Sequence, residues 1–144
     1  MNVQSILGVK GSDVVTMPPS ATLADAAATM RDAGIGAIVV SSDGVHVVGI
    51  VSERDIVRAI ANHGATALGR VIESVMSTDV ITCAPGDSVE SLMRQMTDRR
   101  IRHLPVLVAD AALGGLVSIG DVVKGRLAAL ENENQQLVDY ISGR

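Results

Sequence analysis

The chain is written twice. Shifted by 66 residues, its second half falls on its first without a gap. Asp13-Val14-Val15-Thr16 meets Asp79-Val80-Ile81-Thr82, Pro19 meets Pro85, Met30 meets Met96 and Ile35 meets Ile101. In the same register Ile6 falls on Ile72 and Val9 on Val75. The polar matches carry the most weight, because a core demands apolar periodicity but not the same Ser and Asp at the same spacing. Gly49-Ile50-Val51-Ser52-Glu53-Arg54-Asp55 falls on Gly115-Leu116-Val117-Ser118-Ile119-Gly120-Asp121. Neither copy alone is long enough to bury a sufficient core, so the two must pack against each other as one body.

Each copy reads as strand, helix, strand, strand, helix. Val14-Val15-Thr16 and Val80-Ile81-Thr82 are β-branched and read as short strands. Pro18-Pro19-Ser20 and Pro85-Gly86-Asp87 turn the chain, and Thr22 and Ser88 are N-cap candidates. The helices predicted after them run over Leu23–Ala33 and Val89–Arg99, with stripes at Leu23, Ala26, Ala27 and Met30, and at Val89, Leu92, Met93 and Met96. Ala37–Val40 and Leu104–Val108, then Val47–Val51 and Leu113–Val117, supply two more strands each. A final helix opens at Ser52 or Ser118. The predicted boundaries are repeat 1 over 5–61, a linker over 62–70, repeat 2 over 71–127 and a helical tail over 128–144. The fold class is α/β (α+β): two tandem β-α-β-β-α units in a pseudo-twofold module with a C-terminal helical extension.

Composition excludes several functions. Tyr140 is the sole aromatic residue and the net charge is −4, so neither aromatic stacking nor a basic field offers a grip on nucleic acid. The core must be aliphatic. One cysteine, Cys83, makes neither an intrachain disulfide nor a Cys-rich metal site; it reads as a half-buried thiol, with a redox sensor as the alternative. No apolar run is long enough for a membrane span, and a cytoplasmic protein is expected. His46, His63 and His103 show no metal-ligand spacing, and neither a phosphate loop nor a nucleophile–His pair is recognisable, so no enzyme and no metal are expected.

The two Gly-apolar-apolar-Ser-x-x-Asp stretches, with Ile101-Arg102-His103-Leu104-Pro105-Val106, resemble the signatures of the CBS domain, and the tandem resembles the paired arrangement called a Bateman module. The likeness runs from Ile6 to about Arg126. It implies a non-catalytic regulatory module that binds an adenine nucleotide between its repeats, forms a homodimer and signals to an effector protein. AMP, ADP and ATP head the candidates, with S-adenosyl-methionine and NAD sharing the adenosine part, and no cofactor is required.

The motif has its own chemistry. A helix starting at Ser52 or Ser118 presents unpaired amides and the positive end of its dipole, which attract an anion. Asp55 or Asp121, three residues on, can accept two hydrogen bonds from the hydroxyls of a ribose. The same residues equally make a capping box, which stabilises the helix with no ligand at all. The resemblance places adenine against Val14, Val15, Thr16, Ala37 and Ile38 in one site. In the other it places the base against Val80, Ile81, Thr82, Leu104 and Pro105. Arg102 and His103, with Arg54 beside Asp55, are the candidate phosphate contacts; a solvated helix end is the alternative for this basic patch. The first repeat has Gly36-Ala37 where the second has Arg102-His103, so the two sites should differ.

The tail adds a further pattern. Leu127, Leu130, Asn134, Leu137 and Ile141 are spaced by alternating steps of three and four, the seam of a coiled coil with one polar core position. Two outcomes are open: an extension packed on its own body, or a helix that pairs or docks. The alternative to a nucleotide sensor is accordingly an interaction protein that works through this helix with its clefts empty.

Overall fold

The computed structural model describes residues 1–143. Five helices and five strands follow one another: α1 (Val3–Lys10), β1 (Thr16–Met17), α2 (Leu23–Ala33), β2 (Ala37–Val40), β3 (Gly49–Ser52), α3 (Glu53–His63), α4 (Val89–Arg99), β4 (His103–Leu107), β5 (Leu113–Ser118) and α5 (Ile119–Ile141). Short 3-10 turns at Gly64–Gly69 and Ile72–Ser74 join the halves. The helix starts obey local chemistry. Thr22 Oγ1 accepts from the Asp25 amide at 3.2 Å, and Ser88 Oγ from the Ser91 amide at 3.1 Å, each satisfying an orphan donor.

In the first repeat β1 pairs in parallel with β2, and β2 antiparallel with β3, in the order β1-β2-β3. In the second, β4 and β5 form a two-stranded antiparallel sheet. The expected strands were placed too early. Val14 and Val15 lie before β1, which is Thr16–Met17, and Val80-Ile81-Thr82 form no strand. Only Cys83 bridges to Val106, its amide donating to Pro105 O at 3.0 Å while its carbonyl accepts from the Leu107 amide at 2.9 Å. β-branching made these segments extended, but a strand also needs a neighbour, and each finds one for only a residue or two.

Helix α1 was not foreseen, and it changes how the halves are connected. Val3, Ile6 and Leu7 are buried with Cys83, Val89, Leu92, Leu104 and Val117, in the core of the second repeat. Ala67 and Ile72 are buried with Leu23, Ile38, Val51 and Ile56, in the core of the first. Each lead-in segment therefore packs on the other repeat. Residues expected to be a linker also contribute: the stretch 62–70 is the end of α3 and a 3-10 turn whose Ala67 is fully buried.

The lead-in segments also break the 66-residue register. The Val3 amide donates to Asp87 O, as the Ile72 amide donates to Ala21 O. A Cβ at Gly115 would strike Leu7, where one at Gly49 would strike Met76. The counterpart of Ile72 is thus Val3 and not Ile6, and Val9, aligned by sequence with half-buried Val75, is 89% exposed. Three extra residues in the first copy are accommodated by winding a full α-helix where the second has a single 3-10 turn. Among the described residues no helix is long and apolar enough to cross a membrane, and no group of three or more His, Cys, Asp or Glu is arranged to hold a metal ion.

Candidate ligand site

The sheets bring the expected residues toward one edge in each repeat. β2 and β3 pair so that Ala37 faces Ser52 and Ile38 faces Val51; β4 and β5 pair so that His103 faces Ser118 and Leu104 faces Val117. Thr16 sits beside Val39, and Val14 and Val15 precede it on the side of the strand that ends at Ala37. Ile38, Leu104 and Pro105 are buried, whereas Val14, Thr16, Val80, Ile81 and Thr82 keep part of their surface. A strand end, a helix start and a half-open lead-in therefore meet twice.

Both helix starts are complete capping boxes. The Ser52 amide donates to Asp55 Oδ2 at 2.8 Å and the Asp55 amide to Ser52 Oγ at 3.3 Å. The Ser118 amide donates to Asp121 Oδ2 at 2.9 Å and the Asp121 amide to Ser118 Oγ at 3.2 Å. One oxygen of each carboxylate is spent on the cap. The other, Oδ1, takes no hydrogen bond from the described residues and is available to a hydroxyl donor.

The second repeat adds a cation that sequence reasoning missed. Lys10 Nζ donates to Asp121 Oδ2 at 2.6 Å and to Leu116 O at 2.8 Å. In the first repeat the equivalent carbonyl, Ile50 O, accepts instead from the Ser77 amide, and Asp55 has no ion-pair partner among the described residues. Burial pushes the Asp121 carboxyl up, but the Lys10 ammonium and the Ser118 donors outweigh it and hold it below the ordinary carboxylate value. Lys10 lies 111 residues from Asp121 in the chain, so only the unforeseen α1 could have revealed it.

His103 stands between the repeats. A Cβ at Gly36 would lie 3.7 Å from His103 Cε1, an ordinary contact distance, and would displace only the flexible end of Glu53, so the imidazole of the second repeat sits beside the first repeat's Gly36. Burial lowers the imidazole's proton affinity, and the charges of Arg102 and Lys10 lower it further against the opposing pull of Glu53 and Asp121. It is therefore a neutral donor–acceptor at physiological pH. Cys83 is buried, and burial together with Asp87 pushes its thiol up to about 12, which leaves no thiolate for the redox chemistry held open above.

Two grooves occupy equivalent positions, between the end of α2 or α4 and the start of α3 or α5. The first, about 490 Å³, is lined by Met30, Arg31, Gly34, Gly36, Glu53 and Val57 among others. The second, about 380 Å³, is lined by Arg54, Met96, Thr97, Arg100, Ile101, Arg102 and Ile119. The shapes match but the charges do not. Arg54 crosses from the first repeat to complete a three-arginine wall beside the N-terminus of α5, an arrangement suited to phosphate or another oxyanion. Arg100 is left-handed, with φ of 54°, where the first repeat has Gly34 at 66°. A side chain is thus carried in a conformation that costs about 1–2 kcal/mol relative to glycine. Of the expected residues, Arg54 and Arg102 come together on this wall. Ser52, Asp55, Ser118, Asp121 and His103 do not line it.

The sequence profile of the CBS domain matches residues 8–62 and 72–128. The chain belongs to the CBS domain family. "CBS domain-containing protein CBSX3, mitochondrial" from Arabidopsis thaliana is 37% identical over 126 residues, which are 85% of this chain; the chain spans 61% of that plant protein's length. The crystal structure of the CBS-domain containing protein ATU1752 from Agrobacterium tumefaciens superposes with a TM-score of 0.81 at 43% identity, covering 87% of this chain and 98% of that one. The CBS domain pair of protein MJ0100, in complex with 5-methylthioadenosine and S-adenosyl-L-methionine, shares the fold at a TM-score of 0.78 and 23% identity, over 91% of this chain and 98% of that one. The fold is thus that of a CBS domain pair, with its repeats in tandem and a helix running on beyond the second.

Proposed function

We propose that this CBS pair is a non-catalytic regulatory module that binds an adenine nucleotide between its repeats, with AMP, ADP or ATP as the ligand. The observation that carries the reading is the wall formed by Arg54, Arg100 and Arg102, in which residues of both repeats face one groove and one arginine is held in a costly backbone conformation. A ligand phosphate on that wall ties the repeats together. The free Oδ1 atoms of Asp55 and Asp121 are acceptors for ribose hydroxyls, and the lead-ins 14–16 and 80–82 are the surfaces offered to the base. Adenosine-containing ligands are bound by MJ0100, a module of the same fold. The charge difference between the grooves favours one stronger site, in which Arg102 takes part. The reading further holds that the protein is a cytoplasmic homodimer and that ligand binding is passed to an effector protein through the relative angle of the repeats. Such coupling requires different affinity for the two arrangements.

Thermal unfolding of the full chain with AMP, ADP, ATP and S-adenosyl-methionine in turn tests this. A ligand at 100 times its dissociation constant adds about 2.7 kcal/mol, a rise of several degrees for a chain of this size. The shift is expected with at least one adenine nucleotide and to be lost in Arg102→Ala. Its loss in Asp121→Ala or in Asp55→Ala identifies the cap that holds the ribose. No shift with any of the four overturns the nucleotide reading and leaves an interaction protein with empty grooves.

A further inference from the structure

Helix α5 outruns the body that supports it. Its 23 residues extend about 34 Å. Val122 and Gly125 are buried and Arg126 pairs with Glu90 at 3.2 Å, so the first two turns pack on α4 and on the second core. From Leu130 to Val138 every residue is exposed, and Leu137 and Ile141 are 60% and 81% exposed. An unsupported helix of about three turns is marginal in water. Asn132 and Asn134 lower its propensity further. Four leucine and isoleucine residues nonetheless fall on one line, Leu127, Leu130, Leu137 and Ile141, with the polar Asn134 among them, and exposed Val123 extends it toward the body.

We infer that this line is the seam of a parallel two-stranded coiled coil formed with a second copy of the chain. The inference rests on the homodimer of the reading above and gives it a surface and a direction. Charge settles the occupant and the orientation. In a parallel pair with helices in register, the residue just before Leu127 or Asn134 faces the partner's residue five further on. That places Arg126 beside the partner's Glu131, twice by symmetry, and sets Asn134 against the partner's Asn134, a pairing that fixes register. With the same seams overlapped antiparallel, Glu131 faces the partner's Glu131, Glu133 faces the partner's Glu133, and Asn134 is set against the partner's Leu130. Two like-charge contacts and an unpaired amide replace two attractions and an amide pair. Val138 and Tyr140 flank the last two seam positions and add apolar surface where the body no longer helps.

The test is sedimentation of the full chain. The wild type is expected to be a dimer at micromolar concentration. Leu137→Glu with Ile141→Glu should weaken it by about a hundredfold or more. Neither side chain belongs to a core, so cooperative thermal unfolding of the module should persist, and the nucleotide-induced shift is read on this same monomeric variant. A shift that survives there, or its absence in the wild-type dimer, judges the ligand reading independently of the coil. Arg126→Glu and Glu131→Arg should each weaken the dimer, and the double variant should recover most of the loss even though Glu90 then lacks its partner. Asn134→Cys should form a disulfide between the two introduced thiols under mild oxidant, with the wild type, whose Cys83 is buried, as control. A monomeric wild type, or a dimer indifferent to Leu137→Glu with Ile141→Glu, overturns the coil. A dimer that this pair dissociates but that Asn134→Cys fails to cross-link overturns the parallel direction.

Discussion

The two repeats make the same helix start from the same residues and then use it differently. At Ser52–Asp55 the carboxylate closes a cap and no other described residue holds it; at Ser118–Asp121 the same cap is clamped by Lys10. Around the first groove stand Arg31 and Glu53, whereas three arginines line the second. Duplication therefore preserved the backbone geometry, which the capping chemistry dictates, and released the charges around it. One repeat has a groove of mixed sign, and the other has a groove walled by three arginines and, apart from it, a pinned aspartate.

The largest effects should come from the cores, and they test how the halves are joined. Ile72 is fully buried and Ile6 is 6% exposed, each in the core of the repeat it does not lead into. Either changed to alanine is expected to cost about 2–5 kcal/mol in urea unfolding. Amide exchange distinguishes them: Ile72→Ala should loosen α2 and β2, and Ile6→Ala should loosen α4 and β4. The reverse pattern would mean that each lead-in serves its own repeat.

Lys10→Met comes next. It strips a half-buried carboxylate and a carbonyl of a shared donor, at an expected cost of about 1 kcal/mol at neutral pH. Because the clamp holds the Asp121 carboxyl below its ordinary 3.8, its contribution is present above that value and is lost as pH falls below it. The difference between wild type and Lys10→Met should therefore vanish in acid. A cost that persists there would assign Lys10 a packing role in place of an electrostatic one.

Arg100→Gly should act in the opposite direction, stabilising the chain by about 1 kcal/mol through relief of its left-handed backbone while weakening any ligand that uses the three-arginine wall. Stabilisation with unchanged nucleotide response would remove Arg100 from the site. The smallest effects concern the histidines. His103, with its proton affinity lowered by burial, leaves the folded state with fewer bound protons than the unfolded one, so it makes stability rise with pH in the range just below 6.5. Exposed His46, hydrogen-bonded to Asp43 at 2.8 Å, is shifted the other way, and its contribution fades as pH rises past its folded value. His103→Gln should flatten the rise of the melting temperature between acid and neutral pH, and His46→Gln should steepen it.

Most of the fold could be read from the repeat, because the elements rest on local signals doubled by the second copy. Thr22, Ser52, Ser88 and Ser118 all cap helices, and α2 and α4 have the bounds that their apolar stripes demand. Of the candidate site, the two capping boxes and the position of Arg102 at the groove were legible, because both rest on local signals. The site was not legible where it depends on distant segments meeting. Lys10 lies on a helix whose apolar face, Val3, Ile6 and Leu7, is too brief to betray its periodicity and whose partner is the far half of the chain. Arg100 in a left-handed conformation is equally invisible in sequence, where it reads as one more basic residue at a helix end. The first strands failed for the reason that β-propensity describes a surface waiting for a neighbour.

The crossed lead-ins also set an order of events for a chain emerging from the ribosome. Helix α1 is made first, yet its seat is built from residues as late as Val117 and Val122, so it must wait with its apolar face bare until nearly the whole body is out. The first repeat in turn cannot seal until Ile72 has been made. Neither half can finish early or be deleted and leave the other whole, and a duplication that began as two equal copies has become a knot of mutual dependence that only the complete chain can tie.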